Sequence, residues 1–216
     1  MLLGRKSGWR QLARTLLATI GLFASNVLVT QKVRAADALK PDGDGYIRDW
    51  VMLAPIALPA GRPAGDLIVE EQIKNEAALQ PRAGDTVKVN GKELIWQNIT
   101  ASTKYFDFNE ILKTVNDHAA GFMVTYIECA REMSDITMAL GSNDQARLYL
   151  NGKDIYAFQD ARSLELDADK GKVRLNKGVN VVVFKVINEQ NSWQGSMRFL
   201  DKTGAPVTDL KIKLSP

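Results

Sequence analysis

The chain has 216 residues, 45% of them hydrophobic, which is enough to bury a sizeable core in a single domain. Its formal net charge of +3 arises at the N-terminus: residues 1–35 hold six of the 28 basic residues and no acidic one, which leaves 22 basic and 25 acidic residues, a net charge of −3. A mildly acidic domain is a poor partner for nucleic acid, and the single cysteine, Cys129, excludes an internal disulfide and a thiolate metal site.

Residues 1–35 have the pattern of a cleavable signal peptide. Basic residues precede an apolar run, Leu16–Val29, and Val33 and Ala35 place small residues where a signal peptidase reads them; cleavage after Ala38 is an alternative. An uncleaved membrane anchor is less favoured because the run is shorter than the roughly 20 residues needed to span a bilayer. We therefore predict export to the periplasm or the medium, with no membrane association after cleavage.

Residues 36–85 are predicted to form an N-terminal arm that packs on the main domain. Prolines and glycines break periodic structure over Ala54–Asp66, which should be a connecting loop. Over Leu67–Gln80 a polar face opposes apolar residues such as Ile73, which favours a short helix. The arm is thus expected to be short-helical or irregular, after an opening strand at Ile47–Leu53.

Residues 86–216 have the pattern of an antiparallel β-fold. The pairs Asn90-Gly91 and Asn151-Gly152 supply the two positive-φ positions of type I′ hairpin turns. Short polar turns between strands, with no alternating helical pattern, predict an all-β antiparallel β-sandwich or jelly roll, and residues 36–216 are expected to be one domain. Strands are predicted at Thr86–Val89, Leu94–Trp96, Gly121–Ala130, Ile136–Leu140, Ala146–Leu150, Lys172–Leu175, Val181–Ile187, Ser196–Leu200 and Leu210–Leu214.

Two of these strands have patterns that predict their place in a sheet. Val181–Ile187 is apolar on both faces except at Lys185, so it should lie centrally. Leu210–Leu214 alternates cleanly with its lysines outward, which suits a solvent-facing edge strand.

The segment Leu140–Lys153, LGSNDQARLYLNGK, and the later Lys177–Val186, KGVNVVVFKV, resemble the jelly-roll, galactose-binding-like domains that bind sugar in family 2 glycoside hydrolases. The resemblance covers Ala119–Leu200 and also Tyr46–Ile56. Within the second region, Ile47–Pro55 is similar to a phrase of exported bacterial proteins that carry a glycine at the position of Ala54. It implies a jelly-roll binding domain without catalytic residues, since in such enzymes the catalytic carboxylates lie on a separate barrel. Similarity of fold does not transfer a ligand.

The sequence offers little for catalysis, and no catalytic residue is predicted. His118 is the only histidine and lies in an expected surface loop, and no G-x-S-x-G elbow supplies a nucleophile for a serine triad. Cys129 fits a strand pattern as a small buried residue. A carboxylate pair for glycoside hydrolysis would have to arise among the 25 acidic residues by their placement in the fold.

A carbohydrate site needs an aromatic platform ringed by amide and carboxylate groups. The best local match is the loop at Asn188, Asn191, Trp193 and Gln194, where the indole would be the platform and the amides would bind hydroxyls. The alternative, which we favour, is that Trp193 caps the core and the amides satisfy a tight loop.

A second polar patch could line the same rim if its turn lies beside this loop. It comprises Asn143 and Asp144, with Gln145, Arg147 and Tyr149 following. The favoured alternative is a hairpin turn whose Asn and Asp side chains hydrogen-bond their own backbone.

No cofactor is predicted, although a structural calcium ion is a minor alternative at two acidic turns. Pro41–Ile47 looks like part of a calcium loop, but Lys40 and Val51 stand where such a loop needs acids. The other turn contains Asp167 and Asp169, with carbonyl groups near Gly171, and is the only other dense acidic turn in the sequence.

The sequence therefore predicts an exported, non-catalytic binding module, with carbohydrate as the leading ligand class. The second hypothesis is a structural or protein-interaction domain of a cell-envelope complex, which would use a sheet face or edge strand. The third is a small hydrolase with a carboxylate pair.

Overall fold

The computed structural model describes residues 38–216, where strands account for most of the regular structure. Every strand pairing in this part of the chain is antiparallel, so the predicted all-β class is confirmed. The helices are α1 (Ala64–Val69) and α2 (Phe108–Leu112), and Glu76–Ala78 forms a 3₁₀ turn. The strands are β1 (Asp49–Ala57), β2 (Thr86–Val89), β3 (Lys92–Ile95), β4 (Gln97–Thr100), β5 (Phe106–Asp107), β6 (Ala119–Cys129), β7 (Met133–Asn143), β8 (Ala146–Leu150), β9 (Lys153–Phe158), β10 (Asp169–Leu175), β11 (Gly178–Asn188), β12 (Gln194–Leu200) and β13 (Lys211–Lys213).

The strands form two main sheets and one separate hairpin. The large sheet has the order β4-β1-β6-β11-β8-β9, with β13 also paired to β6, and the small sheet has the order β10-β7-β12-β5. β2 and β3 pair only with each other. The predicted turns at Asn90-Gly91 and Asn151-Gly152 join β2 to β3 and β8 to β9, and all four residues have positive φ. These turns set the register of both hairpins.

The two main sheets share one hydrophobic core. Met123 and Phe184 of the large sheet and Leu140 and Phe199 of the small sheet are fully buried in the same cluster. Phe106 packs edge-on against Phe184, with their ring centroids 5.6 Å apart. This packing is consistent with the predicted β-sandwich.

β11 is central in the large sheet, as its sequence predicts. It lies between β6 and β8 and sends alternate side chains to opposite faces. Val182, Phe184 and Val186 enter the core between the sheets, whereas Val183 and Ile187 enter a second cluster on the outer face of the large sheet. One strand thus contributes to two cores, which is why its sequence is apolar on both faces.

The outer face of the large sheet is covered by residues 58–96, which we call the arm layer. Leu67 and Ile68 of α1 and Trp96, which follows β3, are buried there in the same cluster as Phe122 of the sheet. β1 was expected within the N-terminal arm but is a strand of the large sheet, and the hairpin β2-β3 belongs to the arm layer.

The helix predicted over Leu67–Gln80 is much shorter in the structure. α1 ends at Val69, and Glu70 has an extended backbone. The buried ammonium group of Lys185 donates to the carbonyl oxygens of Glu70 and Leu67 at this end of the helix. These tertiary contacts favour the chain turning away from the helix here, and no local sequence pattern encodes a partner so distant in the chain.

The strand predicted near the C-terminus is present in the structure. Leu210–Leu214 contains β13, in which Lys211 is exposed and Ile212 is buried beside β6. The predicted signal peptide lies outside the described residues. Within residues 38–216, none of the helices has the length and apolar character needed to cross a membrane.

Candidate binding rim

Three loops, with the strand residues Asn143 and Asn188 that begin two of them, meet at one end of the two sheets. We call this region the rim: residues 143–145 at the turn from β7 to β8, residues 159–168 between β9 and β10, and residues 188–193 at the turn from β11 to β12. The Asp144 carboxylate joins them, because its Oδ2 accepts from the Glu189 backbone N–H (3.0 Å) and its Oδ1 accepts from the Arg162 backbone N–H (3.2 Å). The two turns that carry the predicted patches are therefore neighbours at the rim.

The buried carboxylate of Asp144 connects the loops of the rim. Burial raises the pKa of its carboxyl group, whereas the two backbone hydrogen bonds, to Glu189 and Arg162, lower it. The side chain of Gln145 adds a second tie by donating through Nε2 to Glu189 Oε1 (2.5 Å). The predicted alternative for this turn, bonding to its own backbone, is thus replaced by bonding to neighbouring loops.

Three amide oxygens of the rim have no hydrogen-bond partner among the described residues. They are Asn143 Oδ1, Gln145 Oε1 and Asn188 Oδ1, and the other two such buried side-chain atoms are hydroxyl oxygens of Thr125 and Ser196. Buried polar atoms in proteins are almost always paired with protein, water or ligand. Unsatisfied amide acceptors are therefore concentrated at the rim.

Trp193 does not form a platform on the rim. Its side chain has no exposed surface, its indole stacks on Phe108 with ring centroids 4.2 Å apart, and its Nε1 donates to the carbonyl oxygen of Val186. An indole enclosed on both faces cannot stack on a sugar ring, so the prediction of a platform at Trp193 is wrong. The favoured alternative, that this residue caps the core, describes its position.

The amides predicted to surround Trp193 are divided between the interior and the surface. Asn188 is fully buried and its Nδ2 donates to the carbonyl oxygen of Asn116 (2.8 Å). Gln194 is half-buried and donates through Nε2 to Asp107 Oδ2 (2.8 Å). Asn191 is exposed, and its backbone N–H donates to Asp117 Oδ1 (3.0 Å).

Arg147 was predicted for the rim but lies on the outer face of the large sheet. Its guanidinium binds Asp154 Oδ2, contacts the Val69 carbonyl oxygen and stacks over the Tyr149 ring. The side chains of a strand alternate between faces, so Arg147 and Tyr149 point together toward the arm layer. This placement removes both residues from the rim.

Arg162 is a rim residue that sequence analysis missed. Its guanidinium lies over the Phe158 ring, 3.8 Å from the centroid, and donates to Ser142 Oγ (2.8 Å) and Asp169 Oδ2 (2.6 Å). It comes from an irregular loop without periodicity or a motif, so no local signal marks it.

The acidic turns considered for calcium are engaged in other contacts. Asp167 forms an ion pair with Arg198, and Asp169 forms one with Arg162. Asp42 Oδ1 accepts from the backbone N–H groups of Asp44 (3.0 Å) and Tyr46 (2.9 Å), which makes a plain turn. No group of three or more His, Cys, Asp or Glu side chains within residues 38–216 is placed to hold a metal ion.

The groups considered for catalysis do not form a triad. His118 contacts the carbonyl oxygen of Pro59 through Nε2 (2.9 Å). Cys129 is buried, and burial raises the pKa of its thiol.

Comparison with known proteins identifies no family. No family model matches the chain, and no curated protein matches it. Among solved structures, a PA14 sugar-binding domain from an RTX adhesin aligns with 76% of this chain and 96% of its own at 12% identity and a TM-score of 0.38. The GH31 α-xylosidase from Xanthomonas citri aligns with 59% of this chain at 14% identity and a TM-score of 0.36, and only 16% of the xylosidase is covered. At these scores neither similarity identifies a ligand, and the resemblance to family 2 glycoside hydrolases stays a prediction.

Proposed function

We propose that this chain is an exported, non-catalytic module that binds carbohydrate at the rim. The observation that carries the proposal is the group of unpartnered amide oxygens of Asn143, Gln145 and Asn188 at one end of the fold. Sugar hydroxyls donate and accept hydrogen bonds. Because these amide oxygens are buried, a sugar hydroxyl would satisfy them through a bridging water rather than directly.

The rim is also held in place before a ligand arrives. Asp144 fixes the backbone of Glu189 and Arg162, and Gln145 fixes the side chain of Glu189. A preorganised site loses less conformational entropy when it binds. The exposed Gln190 and the rest of this loop would then contribute polar contacts at little ordering cost.

The affinity should be modest because the rim has no aromatic platform at Trp193. A site that binds through water-bridged hydrogen bonds is expected to have a Kd between millimolar and micromolar, about −4 to −8 kcal/mol. Such affinities suit a module that acts beside other binding sites.

The direct test uses a glycan array followed by titration calorimetry with the best-binding oligosaccharide. Asn143→Ala should weaken binding by up to about tenfold, since one good hydrogen bond is worth about 1.4 kcal/mol or less. Asn191→Gly should also weaken binding, because it removes an exposed amide of the rim. Glycine tolerates the positive φ of 68° at this position, so the backbone should keep its conformation. The matched control is Asn98→Ala, which removes an exposed amide on β4.

Equal loss in Asn98→Ala, or no binding to any glycan, contradicts the carbohydrate proposal. Release of a reducing sugar during the titration contradicts the non-catalytic part of it. Cell fractionation with mass measurement of the mature N-terminus tests export, with cleavage expected after Ala35 or Ala38.

A second candidate is a protein-interaction domain of a cell-envelope complex. It is favoured by a groove that runs along a strand edge of the arm layer, away from the rim.

A further inference from the structure

We propose that the free edge of β2 is a docking site for an extended peptide, which would add a third strand to the β2-β3 hairpin. The site lies in the arm layer and is independent of the rim. Its geometry follows from the hairpin turn, the hydrogen bonds of the two strands and the groove beside them.

The turn fixes which backbone groups of β2 face β3. Asn90 and Gly91 have φ values of 52° and 77°, as in a two-residue type I′ turn, so Val89 and Lys92 flank it as a hydrogen-bonded pair. Hydrogen-bonded pairs recur at every second residue of an antiparallel ladder. The Trp96 backbone N–H, which donates to the Asp85 carbonyl oxygen at 2.9 Å, continues the same series.

The remaining residues of β2 direct their backbone groups away from β3. Thr86 and Lys88 are opposite Ile95 and Glu93 in the non-bonded positions, so their N–H and C=O groups point outward. These groups make no hydrogen bond with any backbone group in residues 38–216, and no other described strand pairs with β2. An extended chain can bind such an edge through its main chain.

A groove of about 620 Å³ runs along this edge. β2 forms one wall, and residues 72–74 and 79–81 of the arm layer form the other, whereas the strand residues of β3 do not line it. The groove therefore lies on the unpaired side of the hairpin.

The lining of the groove indicates the chemistry of its occupant. Ile73, Val89 and Trp96 are buried residues that contribute apolar surface. Lys74 and Lys88 are exposed at the groove, and neither forms a salt bridge with another described residue. One acidic residue, Asp85, also lines the groove, and its carboxylate accepts from the Arg82 backbone N–H (2.8 Å), so the lysines outnumber the acidic groups. Because side chains of a strand alternate between faces, the expected partner is a peptide in which small apolar residues alternate with acidic ones.

The first test titrates the peptide acetyl-Val-Glu-Val-Glu-Val-amide into ¹⁵N-labelled protein. The backbone amide signals of Thr86 and Lys88 should shift most, at millimolar peptide or below, because these N–H groups gain acceptors. Two N-methylated peptides provide matched controls, one methylated at the valines and one at the glutamates. In an added strand, the N–H groups of one residue type, valine or glutamate, would face β2. Methylation of those N–H groups should abolish the shifts, and methylation of the N–H groups that face away from β2 should preserve them.

The second test changes the protein. Lys88→Pro removes an outward N–H without removing a hairpin hydrogen bond and should weaken peptide binding at least about tenfold, whereas Lys88→Gln keeps the N–H and should lose less. The matched control is Glu93→Pro, which removes an outward N–H from β3, away from the groove. The remaining hairpin signals report whether each variant is folded.

Three outcomes overturn the proposal. One is an absence of shifts at Thr86 and Lys88 at millimolar peptide, and another is equal binding by Lys88→Pro and Glu93→Pro. The third is a dimer in sedimentation experiments that Lys88→Pro dissociates, which would assign the edge to a second copy of this chain. Loss of sugar binding at the rim would leave the result unchanged, so the two proposals fail separately.

Discussion

The two faces of the large sheet are both buried, but they are buried in different ways. The inner face meets the small sheet through apolar side chains such as Phe184, Leu140 and Phe199. The outer face meets the arm layer through apolar side chains and also through a buried ion pair between Lys185 and Glu76, both with no exposed surface. Adjacent residues of one strand thus contribute to the two interfaces by different chemistry.

The ion pair on the outer face is completely hydrogen-bonded. Lys185 Nζ lies 3.1 Å from each Glu76 carboxylate oxygen and donates to the Glu70 carbonyl oxygen. Tyr149 donates its hydroxyl to Glu76 Oε2 (3.1 Å), and the Gln72 backbone N–H donates to Oε1. Buried charges are tolerated when every donor and acceptor is paired, so this cluster specifies where residues 67–76 dock.

An apolar interface tolerates several arrangements, whereas a paired buried charge tolerates few. Losing one partner of such a pair leaves the other charge buried and unsatisfied. Four measurements test this difference between the two faces.

The largest expected effect is on the inner face. Phe184→Ala should lower the free energy of unfolding by about 3 to 5 kcal/mol, because it removes buried surface and leaves a cavity between the sheets. Urea denaturation followed by circular dichroism measures the loss. A cost below about 1 kcal/mol would show that the inner core collapses around the missing ring.

Lys185→Met should cost a similar or slightly smaller amount, about 3 kcal/mol, because the Glu76 carboxylate loses its buried counter-ion. Adding Glu76→Gln, which removes that charge but keeps hydrogen-bonding groups, should restore most of the loss. Urea denaturation followed by circular dichroism measures the unfolding free energy of both variants. Failure of the second substitution to rescue the first would mean that the charge pair is not what couples the two positions.

The pH dependence of stability shows whether burial or the Glu76 carboxylate has the stronger effect on the pKa of Lys185. Burial lowers the pKa of Lys185 more than the Glu76 carboxylate raises it, so the folded protein releases this proton at a lower pH than the unfolded chain. The unfolded chain then binds more protons below its own pKa of about 10.5, and stability rises with pH in that window.

The measurable quantity is the difference in unfolding free energy between the wild type and the Lys185→Met/Glu76→Gln variant at pH 8, 9 and 10, roughly the alkaline range below the unfolded pKa. The value for the wild type minus the value for the variant should increase by less than about 1.4 kcal/mol for each pH unit. A decrease would show that pairing with Glu76 outweighs burial.

The smallest effect is expected for an exposed ion pair on the same sheet. Lys211 and Glu128 lie 3.0 Å apart, with about half of the lysine side chain and more than a third of the glutamate side chain exposed (51% and 39%). Solvent screens such pairs, so Lys211→Met should leave the denaturation midpoint unchanged within error. A large shift would place this exposed pair in the same class as the buried one.

Much of the sandwich could be predicted from sequence because its signals are local. Side chains that alternate in β7 and β8, and two Asn-Gly turns, fix strands and register within a few residues. The apolar pattern of β11 also predicted a central strand. These features depend on neighbours in the chain.

The arm layer and the rim could not be predicted in the same way. α1 ends where the distant Lys185 binds its carbonyl groups, and the buried Glu76 contacts Tyr149 and Lys185, which are also distant in the chain. Trp193 in a polar loop looks exposed from its neighbours, yet its partner Phe108 comes from another part of the chain. Contacts between residues far apart in sequence leave no periodic pattern.

The double role of β11 has a consequence for how the protein unfolds. Its even-numbered side chains Val182, Phe184 and Val186 lie in one cluster and its odd-numbered side chains Val183 and Ile187 lie in the other. Detachment of the arm layer would expose the apolar outer face of the large sheet to water, so heat or denaturant should unfold both layers in one cooperative step.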